Sequence, residues 1–234
     1  MSDALDKVRG VSELPLFPLP LVLFPGVPQP LHIFEPRYRR LLADVRASNN
    51  LFGLSYHDEN SPGGDRPEVG HVGCATEVVD VQPLPDGRSN IMTVGVARYR
   101  VSGYEERGEP YLVARVEFFE DEPEDARLLG KRAEEVHGMF MRIARAMRTI
   151  SGARGSLPEL PTDDPERLSF LVAAVVEMEA DDKQRLLEMR SAAERLRRLY
   201  TLLSQAVESY EGRAHTHDVS RGNGHAGKRL DFEE

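Results

Sequence analysis

The sequence predicts an α+β chain: a small closed or partly closed β-barrel with one inserted helix, followed by a helical bundle. Three observations lead there. Apolar and polar residues alternate with period two through much of residues 51–120. At "DEPED" (121–125) the apolar period changes to helical spacing, which persists to residue 210. A proline-studded apolar ribbon precedes both stretches. The expected organisation is a β-rich subdomain over 10–120, a helical subdomain over 121–211 and a disordered tail over 212–234.

The ribbon opens "LPLFPLPLVLFPGVPQPLHIFEPRYRRLL" (14–42), and from Leu14 to Phe34 it contains no Asp, Glu, Lys or Arg. It is long and apolar enough to suggest a membrane span. Pro15, Pro18, Pro20, Pro25, Pro28 and Pro30 reject that reading. Each proline removes a backbone donor and blocks helix propagation, and lipid satisfies none of the groups thereby freed. Extended pieces pinned near φ −65° lay Leu16, Phe17, Leu21, Val22, Leu23, Leu31, Ile33 and Phe34 against a core, and "FPGVP" supplies a turn.

A helix follows. Pro36 suits its first position, Glu35 sits on the favoured side of the dipole, and Tyr38, Leu41, Leu42 and Val45 form an apolar stripe. "SNN" (48–50) closes it. "LFGLSYH" (51–57) reads as a strand, and the polar stretch 58–70 as a mobile loop. "HVGCATEVVDVQPL" and "SNIMTVGVARYRV" read as strands joined by the Asp-Gly turn of "PDGR" (85–88). "YLVARVEFFE" (111–120) places Leu112, Ala114, Val116 and Phe118 on one face.

Residues 124–150 form the first helix of the second half, and 151–164 a Gly/Pro linker. Asp164 caps a helix with Pro165 in its first turn, and "LSFLVAAVVEM" is apolar almost all round, which requires burial. "ADDKQRLLEM" gives a short helix. Ser191 and Glu194 have capping-box spacing ahead of a helix that buries Leu196, Leu199, Leu203 and Val207.

Composition narrows the function. The single cysteine, Cys74, makes no intramolecular disulfide, which fits a reducing cytoplasm, and its setting is that of a small buried hydrophobe. A net charge of −9 disfavours general nucleic-acid binding. The N-terminus lacks the pattern of a signal peptide. No phosphate-binding loop, nucleophile elbow or H-E-x-x-H pair is found, so no catalytic residue, cofactor or metal is assigned. His32 and Glu35 have the types for acid/base work, but packing of His32 and helix initiation by Glu35 account for both. His215, His217 and His225 read as a solvated tail. Arg37, Arg39 and Arg40, with Tyr38, read either as an acidic-ligand site or as an ordinary helix face.

The ribbon running into "HIFEPRYR", the "GVARYRV" strand end and the helical "DDKQRLLEM" together resemble the N-terminal, substrate-binding domain of Lon proteases, over residues 12–205. The resemblance implies a PUA-like barrel followed by a helical subdomain, in a bacterial cytoplasmic protein. The ATPase module and the Ser–Lys protease dyad of full Lon proteases are not in this chain. The resulting expectation is a stand-alone, non-catalytic module that binds extended or unfolded polypeptides, with hand-over to an ATP-dependent protease or a chaperone. The candidate contact residues are Phe24, Pro25, Phe34, Arg37 and Tyr38. The alternative is a small-ligand or RNA-binding PUA-like module.

Overall fold

The computed structural model describes residues 3–58, 65–151, 156–157 and 159–223. In chain order these form α1 (Asp3–Lys7), β1 (Glu13–Leu19), β2 (Pro28–Ile33), α2 (Pro36–Arg46), β3 (Leu51–Tyr56), β4 (Val72–Pro83), β5 (Ser89–Glu105), β6 (Val113–Phe119), α3 (Ala126–Ser151), α4 (Pro165–Val175), α5 (Ala180–Glu188) and α6 (Ala192–Asn223). The chain divides into two units, Met1–Pro123 with Ser169–Ala192, and Glu124–Leu168 with Ala193–Glu234. The mixed α+β class expected from the sequence holds.

In the first unit the six strands lie in the order β2-β5-β4-β3-β1-β6, and a further β5–β6 pairing closes β5-β4-β3-β1-β6 into a ring. The length of β5 makes this possible. Its first half pairs with β2 (Pro28↔Val94, His32↔Asn90) and its second half with β6 (Arg98↔Phe119, Glu105↔Val113), while β4 runs along most of it. Bulges at Ala75/Thr76, Val78/Asp80 and Val101/Gly103 bend the strands enough to close. β1 pairs parallel with β3, and the connection between them contains β2 and α2.

Period-two alternation separates two cores. One draws on all five ring strands through Leu14, Leu16, Leu51, Ala75, Val96, Ala97, Tyr99, Val101, Ala114 and Val116. On the opposite face of β1 and β3, Phe17 and Phe52 pack with the α2 stripe, Tyr38, Leu41, Leu42 and Val45. Pro36 occupies the first turn of α2 as expected. Ile33 is buried, while the next residue, Phe34, points to solvent and is 58% exposed, so it leaves the set expected to line the core.

In the second unit, the Arg167 amide donates to Asp164 Oδ1 at 3.0 Å, the expected N-cap of α4. The stripe Leu196, Leu199, Leu203 and Val207 is buried on α6. α6 continues through residues 212–223 of the expected tail; 224–234 lie outside the described residues, as do 59–64 of the expected loop and 152–155 and 158 of the linker.

Candidate functional site

The ribbon between β1 and β2 is pinned to the barrel at its turn. Phe24, Pro25, Gly26 and Val27 form a turn in which Gly26 has φ 77°, the positive value a type II turn demands at its third position, and the Val27 amide donates to Phe24 O at 3.2 Å. The turn is fastened to β5 through Gly95: Gly26 N–H donates to Gly95 O at 2.9 Å and Gly95 N–H to Val27 O at 3.0 Å. A Cβ at Gly95 would lie 2.2 Å from Phe24 O, so only glycine admits the ribbon this closely. Beneath the turn, Leu23, Leu54 and Cys74 form a small apolar cluster, flanked by Leu19, Leu21, Val27 and Leu31.

Beside this ribbon lies a cleft of about 270 Å³. Pro20, Leu21, Leu23, Val27 and Gln29 form one wall. The other is Ala174, Met178, Ala180 and Lys183, from the end of α4 to the first turn of α5. The walls are apolar except for Gln29 and Lys183. Lys183 Nζ donates to Ala174 O at 2.8 Å, closing one of the free carbonyls at the end of α4. Burial holds its pKa below the ordinary lysine value, and no carboxylate among the described residues pairs with it.

The α4–α5 wall is anchored by polar contacts within the same unit. Arg98 Nη1 donates to Leu187 O at 3.0 Å and to Met189 O, and Nη2 meets Asp121 Oδ1 at 2.5 Å. Its guanidinium lies 4.6 Å from the Phe119 ring centroid and 5.1 Å from that of Phe170, which in turn is 6.1 Å from Phe24. Both charged side chains are enclosed, 2% exposed for Arg98 and 1% for Asp121. Gln184 Nε2 donates to Val72 O at 2.9 Å and Tyr56 Oη to Asp181 Oδ1 at 3.0 Å. Helix α5 is thereby fixed to β3 and β4.

The five candidate contact residues fall in two places. Phe24 is fully buried, with the half-buried Pro25 above it in the turn beside the cleft. Phe34, Arg37 and Tyr38 sit where β2 passes into α2. Tyr38 is 4% exposed, 4.0 Å from the Phe17 ring, and burial pushes its phenol up to about 12. Arg37 stacks on it at 4.5 Å and is paired with Glu35 and Asp65. Of the five, Phe34, Pro25 and Arg37 present surface to solvent.

Phe34 belongs to a wider face. Pro28, Pro30 and His32 stand opposite Val94, Met92 and Asn90, and Met92 is itself 38% exposed. Because Val27 O points at β5, the alternate residues Pro28, Pro30 and His32 direct their backbone away from it, along the free edge of β2. Two of those three lack an N–H, so this edge is a poor template for an added strand.

The other chemical candidates are accounted for locally. His32 Nδ1 lies 2.7 Å from Asn90 Oδ1, and Glu35 accepts from Arg37, so these two do not form a pair with each other. Burial pushes the Cys74 thiol up to about 12. His215 and His217 fall on α6, and His225 lies outside the described residues. Among the described residues no group of three or more His, Cys, Asp or Glu side chains is placed to hold a metal ion, and no helix is long and apolar enough to cross a membrane. Sequence reasoning missed Lys183, Gln29 and Met178, and also the Arg98–Asp121 pair. The only signal was a basic residue inside otherwise half-buried β5 and a lysine following "ADD".

A family model described as the ATP-dependent protease La (LON) substrate-binding domain matches residues 13–205. The chain is 26% identical over 210 residues to Lon protease 2 of Herpetosiphon aurantiacus, covering 88% of this chain and 26% of that protein. It is 28% identical over 214 residues to Lon protease 1 of Myxococcus xanthus, covering 86% and 25%. It thus spans about a quarter of the length of these relatives. Among solved structures, the Lon N-terminal domain protein of Xanthomonas campestris superposes with a TM-score of 0.57 at 22% identity, covering 82% of this chain and 98% of that one. The N-terminal domain of a Mycobacterium avium complex Lon protease gives 0.59 at 17% identity with the same coverage. At those identities the likeness is one of fold.

Proposed function

The chain belongs to the ATP-dependent protease La (LON) substrate-binding domain family, and on that premise we propose that it is a non-catalytic module that holds extended or unfolded polypeptides and presents them to an ATP-dependent protease or chaperone. The observation that carries the reading is the cleft beside the ribbon, lined largely by apolar residue types, with the exposed Phe34 and Met92 face on the same unit. A volume of about 270 Å³ lies below the roughly 300–1,000 Å³ usual for cofactor-sized ligands, and suits one or two apolar side chains of a chain lying across the surface.

In this scheme Phe34 and Pro25 offer apolar contact and Arg37 a cation, while Phe24 and Tyr38 act from below, by fixing the turn and by stacking under Arg37. Proline-blocked donors on β2 favour side-chain contact over strand addition. Nothing in the scheme requires bond cleavage by this chain. The test is an equilibrium titration, by fluorescence anisotropy, of a labelled client in native form and after reduction and carbamidomethylation. Binding of the unfolded form at least about tenfold tighter than the folded form is expected; equal affinities would overturn the reading. Hand-over is tested by adding the chain to an ATP-dependent protease with the same client, and acceleration of its degradation is expected.

A further inference from the structure

Lys183 is an ammonium set in a cleft whose other lining side chains, apart from Gln29, are apolar. The hydrogen bond from its Nζ to Ala174 O at 2.8 Å uses one of three donors, and no carboxylate among the described residues pairs with it. The acidic side chains nearest in sequence are engaged elsewhere, Asp181 with Tyr56 Oη and Asp182 with Arg185. Gln29 provides the other polar side chain of the lining, and one of its amide hydrogens reaches Pro30 O at 3.0 Å. Leu21, Leu23, Val27 and Met178 make up the apolar remainder.

A ligand complementary to this arrangement carries a negative charge and an apolar group a few bonds apart. A peptide chain supplies that combination at its C-terminus, where the α-carboxylate and the last side chain share one carbon. An internal Asp or Glu brings its charge on its own side chain, so the apolar group must come from a neighbouring residue, farther away along the backbone. Burial of Lys183, which disfavours its charged form when alone, makes an anion at this position more valuable than on an open surface.

We propose that the cleft captures the C-terminal end of an apolar polypeptide, its free carboxylate bound by Lys183 and Gln29 and its last side chain seated against Leu21, Leu23, Val27 and Met178. This rests on the polypeptide-holding reading above and names the part of the client recognised.

The test uses the full chain and three labelled peptides of one sequence ending in leucine: free acid, C-terminal amide, and amide with an internal glutamate. Wild type is expected to bind the free acid about tenfold more tightly than either amide. In Lys183→Met that preference is expected to fall below about twofold while amide affinity is kept. Equal binding of free acid and amide by wild type overturns the proposal and leaves client binding standing. So does rescue by the internal glutamate, which assigns Lys183 to acidic side chains, or an equal loss of all three peptides in Lys183→Met. If neither these peptides nor an unfolded client binds, the broader reading fails with it. Should Lys183→Met not fold, the wild-type acid-to-amide ratio decides the matter alone.

Discussion

Arg98 and Lys183 do similar things to different ends. Each is a cation reaching backbone carbonyl oxygens near a helix C-terminus, Leu187 and Met189 for Arg98, Ala174 for Lys183, within the same unit. Arg98 has a carboxylate, Asp121, and two aromatic faces, and is shut away from water. Lys183 has no carboxylate among the described residues and opens on the cleft. A buried cation that is fully paired fixes structure; one lining a cleft without an anion beside it is available to a ligand. Removing the two should therefore have opposite signatures.

The largest effect is expected from Arg98→Ala. It removes the contacts of the enclosed guanidinium with Asp121, Leu187 and Met189, and should lower stability by about 3–5 kcal/mol in chemical denaturation. A loss no greater than that of a surface substitution would show that the pair does not hold the α4–α5 wall. Gly95→Ala comes next. Its Cβ would meet Phe24 O, so about 1–3 kcal/mol should be lost along with client affinity as the ribbon lifts. Lys183→Met should change stability by less than about 1 kcal/mol while abolishing preference for a terminal carboxylate.

The pH dependence sharpens the contrast. The folded pKa of Lys183 is depressed by burial, so the penalty for its charge is fully present below that pKa and is relieved as pH rises toward the ordinary lysine value. Across that alkaline window wild type should gain stability relative to Lys183→Met, and carboxylate preference should fade. A preference unchanged at high pH would remove Lys183 from the contact. Phe34→Ala should have the smallest effect on stability, within about 0.5 kcal/mol because the ring is mostly exposed, yet weaken binding of unfolded clients.

Much of the fold was legible because it is written locally. The six prolines between Leu14 and Phe34 ruled out a spanning helix, Pro36 and the Tyr38–Val45 stripe marked α2, and the Leu196–Val207 spacing marked the buried face of α6. The site was legible only in part. Residues 14–42 drew attention for their apolar character, but apolar character does not say which side of a strand faces water: Ile33 went in and Phe34 out. The cleft joins residues 20–29 to 174–183, far apart in the chain, and Ser169–Ala192 returns to the unit of the barrel. No periodicity within either segment encodes that meeting. Arg98 was hidden for the same reason, since its partners Asp121, Leu187 and Met189 all come from later elements.

The central claim, that an extended polypeptide lies across the ribbon and the α4–α5 wall, is tested most directly by hydrogen–deuterium exchange of the chain with and without a saturating carbamidomethylated client. Slower exchange in residues 20–29 and 174–183, with α3 unchanged, is the expected result. Unchanged exchange in both cleft segments while the client is demonstrably bound would contradict the account.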